Sequence, residues 1–126
     1  MFRTNLLIAT LGLASVTLIA LASTTAESTA SPVPTLHKKV KVGELNLFYR
    51  EAGPRDAPVI LLLHGFPTSS QMFRNLIPRL ADKYRVIAPD YPGFGHSDMP
   101  SRDKFTYTFD SLAEVVEQFT EKLGLK

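Results

Sequence analysis

Val59-Ile60-Leu61-Leu62-Leu63-His64-Gly65-Phe66-Pro67 is the run to which the other segments must be fitted. Five consecutive large apolar residues, opening on β-branched Val59 and Ile60, fit a short strand buried on both faces, as in a parallel sheet. The run is too short for an independent helix, and Pro58 bounds it on its N-terminal side. Gly65 and Pro67 end it abruptly. A strand that delivers the chain to a glycine–proline turn leaves bare backbone N–H groups at the carboxyl edge of the sheet, where open α/β sheets bind ligands. An oxyanion hole needs such groups.

The flanking segments supply the rest of an α/β layer structure. Between Lys39 and Glu51, Val40 and Val42 alternate with lysines, Gly43-Glu44 offers a turn, and Leu45, Leu47 and Tyr49 resume the alternation. That pattern predicts a hairpin of two half-buried strands. Ala52 to Pro58 reads as a surface loop. In Thr68 to Asp82, Met72, Phe73, Leu76, Ile77 and Leu80 fall at helical spacing. Pro78 forbids one continuous helix, so two short pieces are expected, with Asn75 capping the second. Tyr84 to Pro89 is the next strand, centred on Val86, Ile87 and Ala88, and a loop runs from Asp90 to Asp103. Phe109, Leu112, Val116, Phe119 and Leu123 then mark one face of a final helix, capped by Thr108 and ended by Gly124.

His64-Gly65-Phe66-Pro67, followed by Asp90-Tyr91-Pro92-Gly93-Phe94-Gly95-His96-Ser97-Asp98-Met99-Pro100, resembles the opening third of an α/β-hydrolase. The Phe-Pro variant is most similar to the epoxide hydrolase and haloalkane dehalogenase branch, and the resemblance runs from Lys39 to Lys126. It implies a three-layer α/β sandwich of which this chain is the N-terminal part: hairpin strands, then parallel strand-helix-strand-helix, ending before the nucleophile strand. It implies hydrolysis through a covalent enzyme intermediate, with an aspartate nucleophile acting on a small-molecule epoxide or alkyl halide. A serine esterase-type relative is the runner-up, and a non-catalytic product of a truncated gene stands beside both. Nucleophile, acid and histidine are all unplaced here, so the chain alone is expected to be inactive.

Each candidate residue has a definite expected role. The Phe66 N–H is the expected oxyanion donor, and Pro67 fixes its turn with a cis bond. His64 closes a buried strand beside Gly65 and is read as a structural turn residue, since the family's catalytic histidine lies near its far C-terminus. Gly95-His96-Ser97 imitates a serine nucleophile elbow, but Gly-x-Ser-x-Gly requires glycine where Met99 stands, and no helix follows. Ser97 is therefore assigned to the loop. Asp90 precedes Pro92, Gly93, Phe94 and Gly95 and is expected to accept loop N–H bonds. Gly93 and Gly95 lack the third glycine of a dinucleotide fingerprint, so no nucleotide cofactor is expected.

The formal charge of +2 shows no basic patch for nucleic acid, and the absence of cysteine excludes disulfides and thiolate metal sites. His37, His64 and His96 lack zinc-like spacing, so no metal is expected. Three segments follow: 1–22, 23–36 and 37–126. The first joins Arg3 to an apolar run from Leu6 to Ala20 and the small residues of Ala20-Leu21-Ala22, a cleavable secretory signal. The run is short for a bilayer core of about 30 Å, so no stable membrane association is expected after cleavage. The second is a flexible Ser/Thr/Pro-rich spacer, and the third is the partial hydrolase domain. The predicted destination is the periplasm or the medium. Mass spectrometry of the exported product should find Ser23 at its N-terminus; a membrane-held product that begins at Met1 would refute the signal.

Overall fold

The computed structural model describes residues 33–125; the expected signal and most of the spacer lie outside them. Val33 already packs against one of the two cores, and the first strand opens at Leu36. Strands β1 (Leu36–Val42) and β2 (Leu45–Ala52) form the expected hairpin, in register from Leu36 opposite Glu51 to Val42 opposite Leu45. Gly43 takes the positive φ of 56° that the tight turn requires. β3 (Val59–Leu61) and β4 (Arg85–Pro89) pair in parallel, Val59 beside Arg85 and Leu61 beside Ile87, while β4 runs antiparallel to β2. The sheet order is β1-β2-β4-β3.

Strand alternation sends side chains to two cores, one on each face. Val42, Leu47, Tyr49 and Ile87 meet Val115 and Phe119 of helix α2 (Phe109–Lys122) on one face. Ala52, Val86 and Ala88 meet Ile77 and Ala81 on the other, around helix α1 (Ile77–Leu80). The three layers are thus helix, sheet and helix.

Three local expectations need correction. β3 stops at Leu61 and is half-buried instead of covered on both faces, because it is the last strand of the sheet among the described residues. Only the Leu62 N–H continues its pairing, to the Ile87 carbonyl at 2.8 Å. Asn75 does not cap α1. The chain enters through Leu76, which is already helical at φ −83° and ψ −44°, whereas a capping side chain needs extended backbone. The preceding 3₁₀ turn, Ser70–Phe73, takes over that task through the Leu76 N–H bond to the Phe73 carbonyl at 2.9 Å. Phe109 is 92% exposed, and Val115 is buried more deeply than Val116. At about 100° per residue, Phe109 lies roughly 80° round the helix from Phe119, outside the narrow stripe that meets the sheet.

Both ends of α2 conform to their sequence signals. Thr108 Oγ1 accepts from the Ser111 N–H at 3.1 Å. At the other end, the Leu125 N–H reaches the Thr120 carbonyl and the Gly124 N–H the Glu121 carbonyl, with Gly124 at φ 63°. That is a Schellman stop.

Glu51 joins three strands. Its carboxylate accepts from Lys38 of β1 and, at 2.8 Å, from Arg85 of β4. Burial alone would raise this carboxyl, but the hydrogen bonds from Lys38 and Arg85 prevail and hold it below the ordinary range. A folded-state pKa below the unfolded one adds stability that is complete above the unfolded value of about 4.3 and disappears as pH falls through the folded value. Urea midpoints should therefore fall as the solution is acidified below about pH 4, and Glu51→Gln should flatten that fall. An unchanged pH dependence in Glu51→Gln would show that another carboxylate governs it.

Candidate active site

The site is built where β3 and β4 deliver the chain to the same edge of the sheet. Beyond Leu63, the Thr68 N–H bonds the Gly65 carbonyl at 3.1 Å, closing a turn around Phe66 and Pro67. The Phe66–Pro67 bond is cis, as the sequence suggested. The Phe66 side chain is 87% exposed, and its N–H has no hydrogen-bond partner among the described residues. Thr68 Oγ1 adds a second bond to the Gly65 carbonyl, at 2.8 Å.

His64 sits behind this turn, 5% exposed. Its Nδ1 lies 2.9 Å from the Gly65 carbonyl oxygen, and its Nε2 accepts from the Tyr91 N–H at 3.1 Å. Tyr91 and Phe94 close on the ring edge-on, at centroid distances of 4.7 and 5.3 Å. With both nitrogens engaged, the ring offers no base to a substrate. Burial pushes the Tyr91 phenol above its usual range.

Asp90 is the centre of the loop that follows β4, and it is 1% exposed. Oδ1 accepts from the Ser70 N–H at 2.6 Å and Oδ2 from the His96 N–H at 2.9 Å. Ser97 Oγ donates to the Asp90 carbonyl at 2.7 Å and accepts from the Phe48 N–H of β2 at 2.9 Å. The one hydroxyl proton is thereby committed to the Asp90 carbonyl. Asp98 extends the seam, accepting from the Asn46 N–H at 2.8 Å and Asn46 Nδ2 at 2.9 Å. The Asn46 backbone N–H is the main reason that this carboxyl lies below its ordinary range. Gly93, at φ 85°, lets the loop turn beneath Tyr107.

Sequence reasoning missed Arg50, buried on β2. Its Nε donates to Ser70 Oγ at 3.1 Å, and its terminal nitrogens reach His37 Nε2 and Gln71 Oε1. The one sequence signal was its position two residues from Phe48 and Ala52, on a face that strand alternation directs inward. An open groove of about 770 Å³ adjoins the site, lined by Gly93, Phe94, Met99, Arg102, Phe105 and Tyr107. Phe66 is not part of its lining, although the Phe66 and Phe94 rings stand 6.3 Å apart.

Residues 58–126 match the alpha/beta hydrolase fold family, and the chain belongs to it. It is 51% identical over 89 residues to an uncharacterized hydrolase of Saccharomyces cerevisiae, covering 70% of this chain and 30% of that protein. It is 48% identical over 82 residues to a haloalkane dehalogenase of Mycobacterium marinum, covering 64% and 27%. Among solved structures, a haloalkane dehalogenase of Bradyrhizobium elkani superposes with a TM-score of 0.68 at 36% identity, over 72% of this chain and 30% of that one. A bacterial membrane phospholipase A superposes with a TM-score of 0.67 at 32% identity, over 71% and 28%. The chain spans about 30% of the length of the first of these relatives.

Gly95 tests the loop. It sits at φ 53°, and a Cβ there would lie 1.9 Å from Asp90 Oδ2. Gly95→Ala should lower stability by at least the ~1–3 kcal/mol of the backbone strain, since the carboxylate must also move. Urea unfolding gives the number, and a change within error of zero would mean that the loop does not depend on Asp90.

Proposed function

We propose that the chain is the oxyanion-binding portion of a hydrolase of the haloalkane dehalogenase and epoxide hydrolase type. The supporting observation is the Phe66 N–H, free of partners among the described residues at the sheet's carboxyl edge, in a sequence 48% identical over 82 residues to a haloalkane dehalogenase. In the reaction this reading implies, a carboxylate nucleophile supplied by the whole protein attacks the substrate carbon. A C–O ester bond forms as the carbon–halogen bond breaks and its electron pair leaves with the halide. In an epoxide the ring C–O bond breaks instead, its electron pair stays on the ring oxygen, and that oxygen takes a proton from an acid of the whole protein to give a hydroxyalkyl ester. A histidine-activated water then attacks the ester carbonyl, and the resulting oxyanion collapses to alcohol and regenerated carboxylate. The Phe66 N–H would bear on the charge that develops in these steps, where such a donor contributes about 2.7–4 kcal/mol.

A serine esterase is the second reading, favoured by the likeness to the phospholipase. Neither assigns a nucleophile to this chain. Ser97 is committed to Asp90 and Phe48, and among the described residues no hydroxyl is hydrogen-bonded to a histidine. Residues 1–126 alone should therefore release no halide from a bromoalkane, no diol from an epoxide and no phenol from a nitrophenyl ester. Grafted over the matching segment of the Mycobacterium marinum dehalogenase, the chain should give a folded chimera that still releases halide. A chimera with native-like circular dichroism and no halide release would overturn the proposal, and turnover by the ungrafted chain would reveal an overlooked nucleophile.

A further inference from the structure

We propose that His64 is a positioning residue for the Phe66 N–H, acting through the Gly65 carbonyl. The inference rests on Phe66 as the oxyanion donor. Carbonyl 65 and amide 66 belong to one planar peptide, which is trans, since the one cis bond among the described residues is Phe66–Pro67. In a trans peptide the N–H points opposite to the C=O, and rotation about the bond between them faces a barrier of about 18–20 kcal/mol. Whatever holds the oxygen therefore aims the hydrogen.

Packing does little to hold it. A Cβ on Gly65 would meet nothing within 4 Å, and the Phe66 side chain is almost wholly exposed. Glycine also gives the backbone its widest freedom at this point. Hydrogen bonds must supply the orientation, and three donors converge on the Gly65 oxygen. Thr68 gives its N–H at 3.1 Å and its Oγ1 at 2.8 Å from the far side of the turn, while His64 Nδ1 approaches at 2.9 Å from the strand side.

The ring is itself well anchored. A carbonyl can only accept and a backbone N–H can only donate, so Nδ1 carries the proton and Nε2 is bare. The Tyr91 N–H at 3.1 Å, with Tyr91 and Phe94 against the ring, ties the imidazole to the end of β4. The orientation of the oxyanion peptide is thus referred to the neighbouring strand.

Nuclear magnetic resonance of the ¹⁵N-labelled chain tests this without any turnover. In the parent, the His64 ring should show a protonated Nδ1 and a bare Nε2; the opposite tautomer overturns the proposal. His64→Asn keeps a donor near the place of Nδ1, whereas His64→Phe keeps the ring packing and loses the donor. The Phe66 N–H residual dipolar coupling should match the parent in His64→Asn and shift in His64→Phe, while Val86, Ile87 and Ala88 keep theirs as reporters of an intact sheet. A parent-like Phe66 coupling in folded His64→Phe, or a displaced one in folded His64→Asn, overturns it. Should His64→Phe not fold, the ring tautomer and His64→Asn still decide. A chimera without halide release alongside the expected couplings would remove the oxyanion reading and leave this peptide geometry standing.

Discussion

A carboxylate sealed from water keeps its place only if the protein replaces the hydrogen bonds that water supplied. Asp90 meets that demand with backbone donors from two directions, Ser70 and His96, and its own carbonyl takes the Ser97 hydroxyl. No cation touches it among the described residues. The nearest compensation runs through Ser70, whose N–H serves Asp90 while its hydroxyl receives Arg50. One buried acid at the end of β4 thereby fixes the entry to the first helical layer, the glycine loop and the seam on β2. The Phe66 turn lies between the segments it holds.

This arrangement explains why the loop sequence is so restricted. Gly95 has to be glycine because the space of its side chain is already filled by the Asp90 carboxylate, and its backbone is left-handed as well. Ser97 must have a hydroxyl that both donates and accepts, since it serves the Asp90 carbonyl and the Phe48 N–H together. A motif that imitates a nucleophile elbow is here consumed by architecture.

Much of the fold could be read because its signals are local. The Gly43 turn, the Thr108 cap and the Gly124 stop each depend on a few adjacent atoms, and alternation put Leu45, Leu47 and Tyr49 on one covered face of the hairpin, which the structure shows packed against α2. The errors arose where distant chain decides. The full coverage expected for β3 depended on which strands flank it, and the capping expected of Asn75 failed because the preceding turn had already set the backbone into helical geometry. The Arg50–Ser70–Asp90 link joins positions twenty residues apart in each step, and no periodicity announces such a pair.

The polar side chains around the turn share one property: their hydrogen-bonding capacity goes to the protein. His64, Asp90 and Ser97 all look chemical in the sequence, and all three spend their polar atoms on backbone groups. What remains free among the described residues is the main-chain Phe66 N–H, which no side-chain substitution at that position, proline apart, can delete. Only proline would remove it, and proline would also restrict the backbone of Gly65 before it. Chemistry assigned to such a donor should therefore respond less to the residue at 66 than to the groups that hold its peptide plane. In this chain those groups are the Thr68 hydroxyl and N–H and the His64 imidazole, so the sensitivity of the site lies one step away from the atom that would touch the substrate.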